Sequence, residues 1–216
     1  MKIKVLQNIL DANDQIANRN RQVLDKNKVL AINIMSSPGA GKTSLILRTI
    51  NRLKDRVRIA VIEGDIASTI DADRINEEGV AVLQINTGGN CNLDANMVSN
   101  ALDSLSLDGV ELLLIENVGN LVCPAEFKTG AHKRMMLLSV PEGDDKPYKY
   151  PLMFTVSEVI IINKIDLLPY LDFDVAAFQR AVNGVNPKAK LFQISCKTGE
   201  GIEEWVSWLE SELMGC

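Results

Sequence analysis

The sequence lacks several features that mark particular classes of protein. Acidic residues outnumber basic ones by 28 to 23, for a net charge of −5, so the basic surface that binds nucleic acid is not indicated. The longest apolar runs, such as residues 159–162, are far too short to span a bilayer. Polar Gln7, Asn8 and Asp11 interrupt the N-terminal residues, which excludes a signal peptide. These absences predict a cytoplasmic protein that acts on neither nucleic acid nor membranes.

Cysteine is also scarce, and neither an internal repeat nor a low-complexity run is found. The four cysteines are Cys91, Cys123, Cys196 and Cys216, which in the cytosol are expected to be reduced. Free cysteines usually behave as small buried hydrophobic residues, so their number alone indicates no metal site. With 216 residues, 46% of them hydrophobic, the chain can build the core of one α/β domain.

The first 28 residues have the periodicity of a helix. Apolar residues recur at spacings of four and seven, which predicts an amphipathic helix over residues 4–27. One stripe contains Val5, Ile9, Ile16 and Val23, and beside it lie Leu6, Leu10, Ala17 and Leu24. We expect this helix, residues 1–28, to pack as an extension on a domain formed by residues 29–216. The alternative is a helix that binds a partner.

The rest of the chain alternates between β-branched runs and helical stretches. Strands are predicted at residues 29–35, 57–63, 80–85, 111–116, 135–139, 159–163 and 191–195, and helices at 43–52, 94–105, 174–183 and 202–213. This alternation predicts a three-layer α/β fold, with a mostly parallel central sheet of about seven strands and helices on both faces. Ligands of such sheets bind at the carboxyl ends of the strands.

A phosphate-binding loop follows the first predicted strand and opens a helix. Its residues are Ser36, Ser37, Pro38, Gly39, Ala40, Gly41, Lys42 and Thr43, followed by Ser44. Glycines let backbone N–H groups surround phosphates, and the helix N-terminus adds partial positive charge. Lys42 is expected to reach the β- and γ-phosphates, and the Thr43 hydroxyl to bind Mg²⁺. The usual first glycine is replaced here by Ser36. With the alternating strands and helices, this loop predicts an α/β fold of the P-loop NTPase type.

A guanine-reading motif follows the sixth predicted strand. The Asp166 carboxylate can accept two hydrogen bonds from guanine, whereas adenine presents its donor and acceptor in the opposite order. Lys164 can lie along the base, and Asn163 can brace the loop. The triplet Ser195, Cys196 and Lys197, after the last strand, can offer a backbone N–H to the guanine carbonyl. Together with the phosphate loop, these residues predict a nucleotide site specific for GTP and GDP.

Two acids at strand ends are candidates for holding Mg²⁺, directly or through water. They are Asp65, after the second predicted strand, and Glu116, at the end of the fourth. Gly119 can turn its backbone N–H toward a γ-phosphate. With Lys42, these residues are the predicted catalytic group, and Asp65 can orient the attacking water. The alternative is that the two acids are a helix cap or ordinary surface residues.

Several longer blocks resemble the hydrogenase nickel-incorporation GTPase (HypB) family of the dimerising SIMIBI class. They are residues 116–127 (ENVGNLVCPAEF), 130–134 (GAHKR), 139–147 (SVPEGDDKP) and 163–170 (NKIDLLPY), and the likeness runs from about residue 5 to the C-terminus. The resemblance implies a slow GTPase that forms a homodimer with GTP and helps deliver nickel to [NiFe]-hydrogenase precursors. It also implies a HypA-type nickel chaperone, the hydrogenase large subunit and a SlyD-type isomerase as partners.

The resemblance further implies a nickel or zinc site at the dimer interface. Its family ligands correspond to Cys91, Asn92 and Cys123, but the family has histidine where this chain has Asn92, and an amide is a poor ligand for these ions. The family's Cys-rich N-terminus and His-rich tracts are absent, so storage of several nickel ions is not expected. Lys149 matches a position that reaches the partner's nucleotide, and His132 is expected to orient the switch region.

GTP and Mg²⁺ are expected to order the segments around Asp65 and Glu116 and to bring two Cys91/Cys123 pairs together across a two-fold axis. Three alternatives remain open. The chain can be a urease-type nickel GTPase, although that family has Cys-Pro-His where residues 91–93 read Cys-Asn-Leu. It can be a GTPase chaperone of a cobalamin enzyme, which needs neither cysteine. Or it can be a metal-free switch whose GTP dimer recruits a partner.

Overall fold

The protein is built on one seven-stranded sheet. The computed structural model describes residues 2–66 and 69–215, with side chains from residue 10 onward within those ranges. All strand pairs are parallel, in the order β3-β2-β4-β1-β5-β6-β7. The strands are β1 (Leu30–Ser36), β2 (Ile59–Asp65), β3 (Ala81–Asn86), β4 (Leu112–Glu116), β5 (Lys133–Ser139), β6 (Val159–Asn163) and β7 (Lys190–Gln193). The predicted fold class is confirmed.

Nine α-helices occur within the described residues. They are α1 (Lys2–Asn27), α2 (Lys42–Leu53), α3 (Ile70–Asn76), α4 (Ala95–Ser104), α5 (Cys123–Glu126), α6 (Lys146–Lys149), α7 (Pro151–Thr155), α8 (Val175–Val185) and α9 (Ile202–Leu213). Short 3₁₀ helices occupy Val140–Glu142 and Ile165–Tyr170. The sequence predicted α1, α2, α4, α8 and α9. The helices it missed have only four to seven residues, too few for a helical period to be visible.

The sheet is covered on both faces because its central strands are apolar on both sides. Every residue of β1, β4 and β6 is buried. Alternate residues feed different cores: Ile32 packs with α2 and α9, whereas Ala31 packs with α1 and α4. A third core joins α7 and α8 to β5 and β6 around Phe154 and Phe178. The described part of the chain contains no helix long and apolar enough to cross a membrane.

The N-terminal helix packs on the domain, but only part of the predicted apolar face is buried, and asparagines share that face. Val23 is 42% exposed, and the buried side chains include Asn13, Ala17, Asn20 and Leu24. The amide nitrogen of Asn20 donates to the carbonyls of Ala95 (2.8 Å) and Thr129 (2.9 Å). Asn13 donates to the Lys128 carbonyl and accepts from the Ala95 N–H, both at 2.9 Å. Val5, Leu6 and Ile9 lie outside the described side chains, and the division at residue 28 stays a prediction.

Candidate functional site

The phosphate loop connects β1 to α2, as predicted. Gly39 and Gly41 have φ angles of +75° and +105°, a region that side chains rarely adopt. A Cβ at Gly41 would lie 2.4 Å from the amide nitrogen of Asn163, so only glycine fits there. The Lys42 ammonium donates to the Ser36 hydroxyl at 3.1 Å. Ser36 therefore gives the lysine a partner inside the loop, which the usual glycine cannot do.

Buried carboxyl groups lie beside the start of α2. The Thr43 hydroxyl donates to Glu116 Oε1 at 3.0 Å, while the other Glu116 oxygen is buried without a hydrogen-bond partner. Glu63 pairs with Glu116 in the β2–β4 register, and one of its oxygens is likewise buried and unpaired. Unpaired buried carboxylate oxygens are costly, and hard cations satisfy them. These oxygens and the Thr43 hydroxyl fit a Mg²⁺ ion bound together with the phosphates.

Glu63 is a site residue that the sequence did not single out. Burial, followed by the charges of Glu116, Asp65 and Asp71, raises its pKa to about 8. Burial also raises the pKa of Glu116 to about 7, although the neighbouring Lys42 lowers it. Strong shifts of this kind concentrate at functional sites. The available signal was an acid inside the apolar strand IAVIEGD, two residues before Asp65 at its end.

The base-reading loop is held against the phosphate loop by Asn163. Its amide nitrogen donates to the Ala40 carbonyl at 2.9 Å, and its amide oxygen accepts from the N–H groups of Lys164 (2.8 Å) and Cys196 (3.1 Å). Lys164 has a φ of +62°, and its ammonium donates to the Gly39 carbonyl at 2.8 Å. One buried side chain thus joins three loops, which is the bracing role predicted for it.

Asp166 lies at the edge of a cavity that suits a purine. Its carboxylate accepts the Ser195 hydroxyl at 2.6 Å, which fixes its orientation. The cavity has a volume of about 340 Å³ and is lined by Gly41, Ser44, Asn163, Lys164, Asp166, Leu167, Cys196 and Lys197. Arg48 of α2 donates to the carbonyls of Cys196 (2.7 Å) and Lys197 (3.0 Å). The predicted base residues are therefore brought together beside the phosphate loop.

Two of the remaining predicted nucleotide residues contact the segment after β5. The Ser37 hydroxyl makes a short hydrogen bond to Glu142, which also accepts from the Ser139 N–H at 2.8 Å. Lys149 forms an ion pair with Asp145, one helical turn earlier, and its side chain is 58% exposed. Lys149 is thus on the surface and its contact is with its own segment, so a role toward a second subunit's nucleotide stays a prediction.

Cys91 and Cys123 are brought together although 32 positions separate them. A hydrogen bond with the Cys91 thiol, and burial after it, raise the pKa of Cys123 to about 11. The Cys91 thiol is also 3.8 Å from the Asn92 side-chain oxygen, and the Asn92 amide donates to the Leu93 carbonyl at 3.1 Å. No cluster of three or more metal-binding side chains occurs within the described ranges. The described residues therefore place a pair of thiols here without a third metal-binding side chain.

Cys196 and the histidine do not join this pair. Burial raises the pKa of Cys196 to about 11, which keeps that thiol neutral in the base loop, and Cys216 lies outside the described residues. His132 accepts the Ala31 N–H at 3.0 Å through Nδ1, and Nε2 is 2.8 Å from Asp25 of α1. The expectation that it orients the switch region is therefore wrong, because its contacts fasten α1 to β1.

The parallel sheet, the glycine loop before α2 and the carboxylates at neighbouring strand ends define a P-loop nucleotide-binding protein. Residues 30–193 match the family model described as CobW/HypB/UreG, nucleotide-binding domain. The hydrogenase maturation factor HypB of Escherichia coli K12 is 48% identical over 204 residues, which cover 94% of this chain and 70% of that protein. As a class, such P-loop NTPases hydrolyse nucleotides.

Two solved structures are similar over nearly their full length. The hydrogenase maturation factor HypB of Archaeoglobus fulgidus superimposes with a TM-score of 0.88 at 40% identity, covering 94% of this chain and 99% of that one. HypB of Helicobacter pylori in complex with nickel superimposes with a TM-score of 0.90 at 38% identity, covering 94% and 96%. This chain belongs to the hydrogenase maturation factor HypB family.

Proposed function

We propose that this protein is a GTP-hydrolysing metallochaperone that dimerises with GTP and assists nickel insertion into [NiFe]-hydrogenase precursors. The observation that carries the proposal is the Cys91/Cys123 thiol pair in a chain that also has a complete guanine nucleotide pocket. The structure of the nickel complex of a relative supports nickel as the cargo. Thiolates also bind Zn²⁺ well, so zinc is the competing ion.

Guanine specificity rests on Asp166. Its carboxylate is held by Ser195 and offers acceptors to the N1–H and exocyclic amine of guanine. Adenine would place the lone pair of its N1 against these acceptors. Because buried acceptors without a donor are costly, the pocket would discriminate strongly against adenine nucleotides. Lys164 is held along the phosphate loop by Gly39, where its aliphatic stem can cover one face of the base. We therefore assign GTP and GDP to the pocket.

Hydrolysis is assigned to the residues at the ends of β1, β2 and β4. Lys42 supplies positive charge to the β- and γ-phosphates, and Gly119, close to Pro38 of the phosphate loop, can offer its N–H there. Thr43 and Glu116, with Asp65 and Glu63 next to them, would hold Mg²⁺, which supplies charge neutralisation when bound. Asp65 is the candidate for orienting the attacking water. Turnover is expected to be slow, since the described residues offer no arginine assigned to the transferred phosphate.

The cargo site needs two subunits. Each contributes Cys91 and Cys123, and four thiolates can hold Ni²⁺ in a plane or Zn²⁺ in a tetrahedron. The raised pKa of Cys123 keeps this thiol protonated in the absence of metal, so metal uptake releases a proton from it and weakens at low pH. Asn92 replaces the family histidine, and its amide nitrogen donates a hydrogen bond to the Leu93 carbonyl. We assign it no bond to the metal.

The proposed assembly is a homodimer in the GTP state. A HypA-type nickel chaperone, the hydrogenase large subunit and a SlyD-type isomerase are the proposed further partners, and the cytoplasm the proposed location. Exposed Tyr170 and Leu171, next to the base loop, support an apolar contact surface on this side of the molecule. Neither nucleic acid nor a membrane is assigned as a partner.

The deciding experiment is a titration of Ni²⁺, and separately Zn²⁺, into the protein loaded with Mg²⁺ and either GDP or a non-hydrolysable GTP analogue. Thiolate-to-metal absorption and the mass of the assembly are followed together. We expect one metal ion per dimer with the analogue, absent in Cys91→Ser and retained in the matched control Cys216→Ser. GTP hydrolysis should persist in both variants. A dimer that forms with the analogue but binds neither metal would contradict metal delivery.

The second candidate is a metal-free GTP switch whose dimer recruits a partner protein. Asn92 favours it, because the ligand position is an amide already bonded to the Leu93 carbonyl. The substitution Asn92→His separates the two functions. If the native thiols suffice, the variant gains little metal affinity, whereas a degraded site would gain at least about tenfold from an added imidazole.

A further inference from the structure

Asn117 connects the end of β4 to the segment that contains Cys91. It follows Glu116 directly, and its side chain is completely buried. Its amide oxygen accepts the Leu93 N–H at 2.9 Å and the Val118 N–H at 3.0 Å, while its amide nitrogen donates to Asn33 Oδ1 at 3.1 Å. The backbone of Leu93, two residues after Cys91, is therefore hydrogen-bonded to the residue that follows Glu116, a candidate ligand of Mg²⁺.

Leu93 makes a second contact with the nucleotide side of the sheet. Its side chain is fully buried against Gly64, which lies between Glu63 and Asp65. A Cβ at Gly64 would approach the Leu93 side chain to 2.7 Å, so the contact leaves no space for a methyl group. We therefore expect movement at the end of β2 or of β4 to move Leu93, because packed interiors transmit displacement.

Asn120 provides a corresponding link to the other cysteine. Its backbone N–H donates to the Ser36 carbonyl of the phosphate loop at 2.8 Å. Its side-chain oxygen accepts the N–H groups of Val122 (2.7 Å) and Cys123 (3.2 Å). Cys123 is thus one side chain away from the loop expected to surround the phosphates, just as Cys91 is one side chain away from β4.

We propose that Asn117 and Asn120 are the positioning residues that couple the nucleotide site to the Cys91/Cys123 pair. The inference rests on the proposed function, since it takes that pair as the metal site. Ordering of residues 116–120 by the γ-phosphate moves both asparagines, and their hydrogen bonds carry the movement to both thiols. Coupling is reciprocal, so the metal must alter nucleotide affinity by the same factor.

The test compares Ni²⁺ dissociation constants of the full chain in the GDP and GTP-analogue states. The ratio of the two constants is the coupling factor, and the corresponding ratio for nucleotide with and without Ni²⁺ checks reciprocity. Allosteric factors are commonly about 5- to 150-fold. We expect such a factor in the natural protein, and a ratio within about twofold of one in Asn117→Ala and Asn120→Ala.

A control separates coupling from general destabilisation. Asn186 is also a bracing asparagine, since its amide donates to the carbonyls of Phe154 (3.0 Å) and Ser157 (2.8 Å), but it is not part of the site. Asn186→Ala should keep the natural coupling factor. If Asn117→Ala does not fold, two other variants provide the test. They are Asn120→Ala, at a half-buried residue, and Gly64→Ala, whose added methyl group would clash with the Leu93 side chain.

The outcomes distinguish this inference from the proposed function. Full coupling in folded Asn117→Ala and Asn120→Ala, or nickel affinity that is independent of nucleotide in the natural protein, would overturn the inference and leave the metal site intact. Absence of nickel binding in both nucleotide states of the natural protein would overturn both.

Discussion

Replacing Glu63 with glutamine should stabilise the nucleotide-free protein and weaken its Mg²⁺-dependent nucleotide binding. The Glu63 pKa is raised from 4.5 to about 8 in the folded protein, chiefly by burial. A carboxyl group with a raised pKa contributes stability that is complete below pH 4.5 and is lost as the pH rises toward 8. Glutamine has nearly the same shape as the neutral acid, and its amide does not ionise in this pH range.

The size of the effect follows from the shift. At pH 7 the unfolded chain has passed the ordinary pKa by about 2.5 units while folded Glu63 is still protonated. At about 1.4 kcal/mol per unit, keeping this carboxyl group protonated therefore costs the folded state on the order of 3 kcal/mol relative to the unfolded chain. At pH 5 the same reasoning gives less than about 1 kcal/mol. The gain from Glu63→Gln should accordingly grow with pH.

Urea unfolding between pH 5 and pH 8, with EDTA present and nucleotide absent, measures this gain. The exposed Glu204→Gln is the matched control and should follow the natural protein at every pH. Titration with GDP in the presence of Mg²⁺ measures the opposite effect, because the amide cannot supply negative charge to the cation. A Glu63→Gln protein that is less stable at pH 7, or that keeps the natural dependence on pH, would refute the reasoning.

Three further predictions address the base loop and the N-terminal helix. Asp166→Asn should weaken GDP binding by about 100-fold, since two charged hydrogen bonds are lost, and should favour xanthosine diphosphate. Fluorescence titration with both nucleotides checks this, and a GDP affinity equal to that of the natural protein would contradict it. Asn163→Ala leaves the N–H groups of Lys164 and Cys196 without their acceptor, so thermal unfolding should show a loss of about 2–3 kcal/mol. Burial lowers the His132 pKa, so stability should be lost as the pH falls below 6.5. As His132 is the only histidine, its NMR signal reports the pKa directly, and a value above 6.5 would contradict the prediction.

The sheet and most of the nucleotide site could be predicted because their signals are local. Apolar strands such as β6 are easily recognised, because the only polar residue of β6 is its last one, Asn163, and the phosphate and base motifs occupy consecutive positions at the ends of β1 and β6. Strand ends were less certain. The second strand begins at Ile59 and not at residue 57, because the Val57 N–H closes the end of α2 by donating to the Leu53 carbonyl.

Contacts between distant segments could not be predicted in this way. Asn13 and Asn20 are polar residues on a helix and indicate a solvent-facing side, yet both are buried by carbonyls and N–H groups at residues 95, 128 and 129. The burial of Glu63 could not be predicted for the same reason, because it depends on the pairing of Glu63 with Glu116 between the neighbouring strands β2 and β4. The meeting of Cys91 with Cys123 was expected only from a family resemblance.

In the proposed cycle, the strand order places the base and the γ-phosphate of GTP in different parts of the site. The proposed base residues follow β6 and β7, on one side of the central β1, while the thiol pair follows β3 and β4 on the other side. The γ-phosphate would lie at the boundary between these two parts. Loss of that phosphate is therefore expected to change the part that contains the thiols while the base contacts stay in place. On the proposed function, the protein would capture and release cargo with its nucleoside continuously bound, and exchange of GDP becomes a separate, later event that another factor can time.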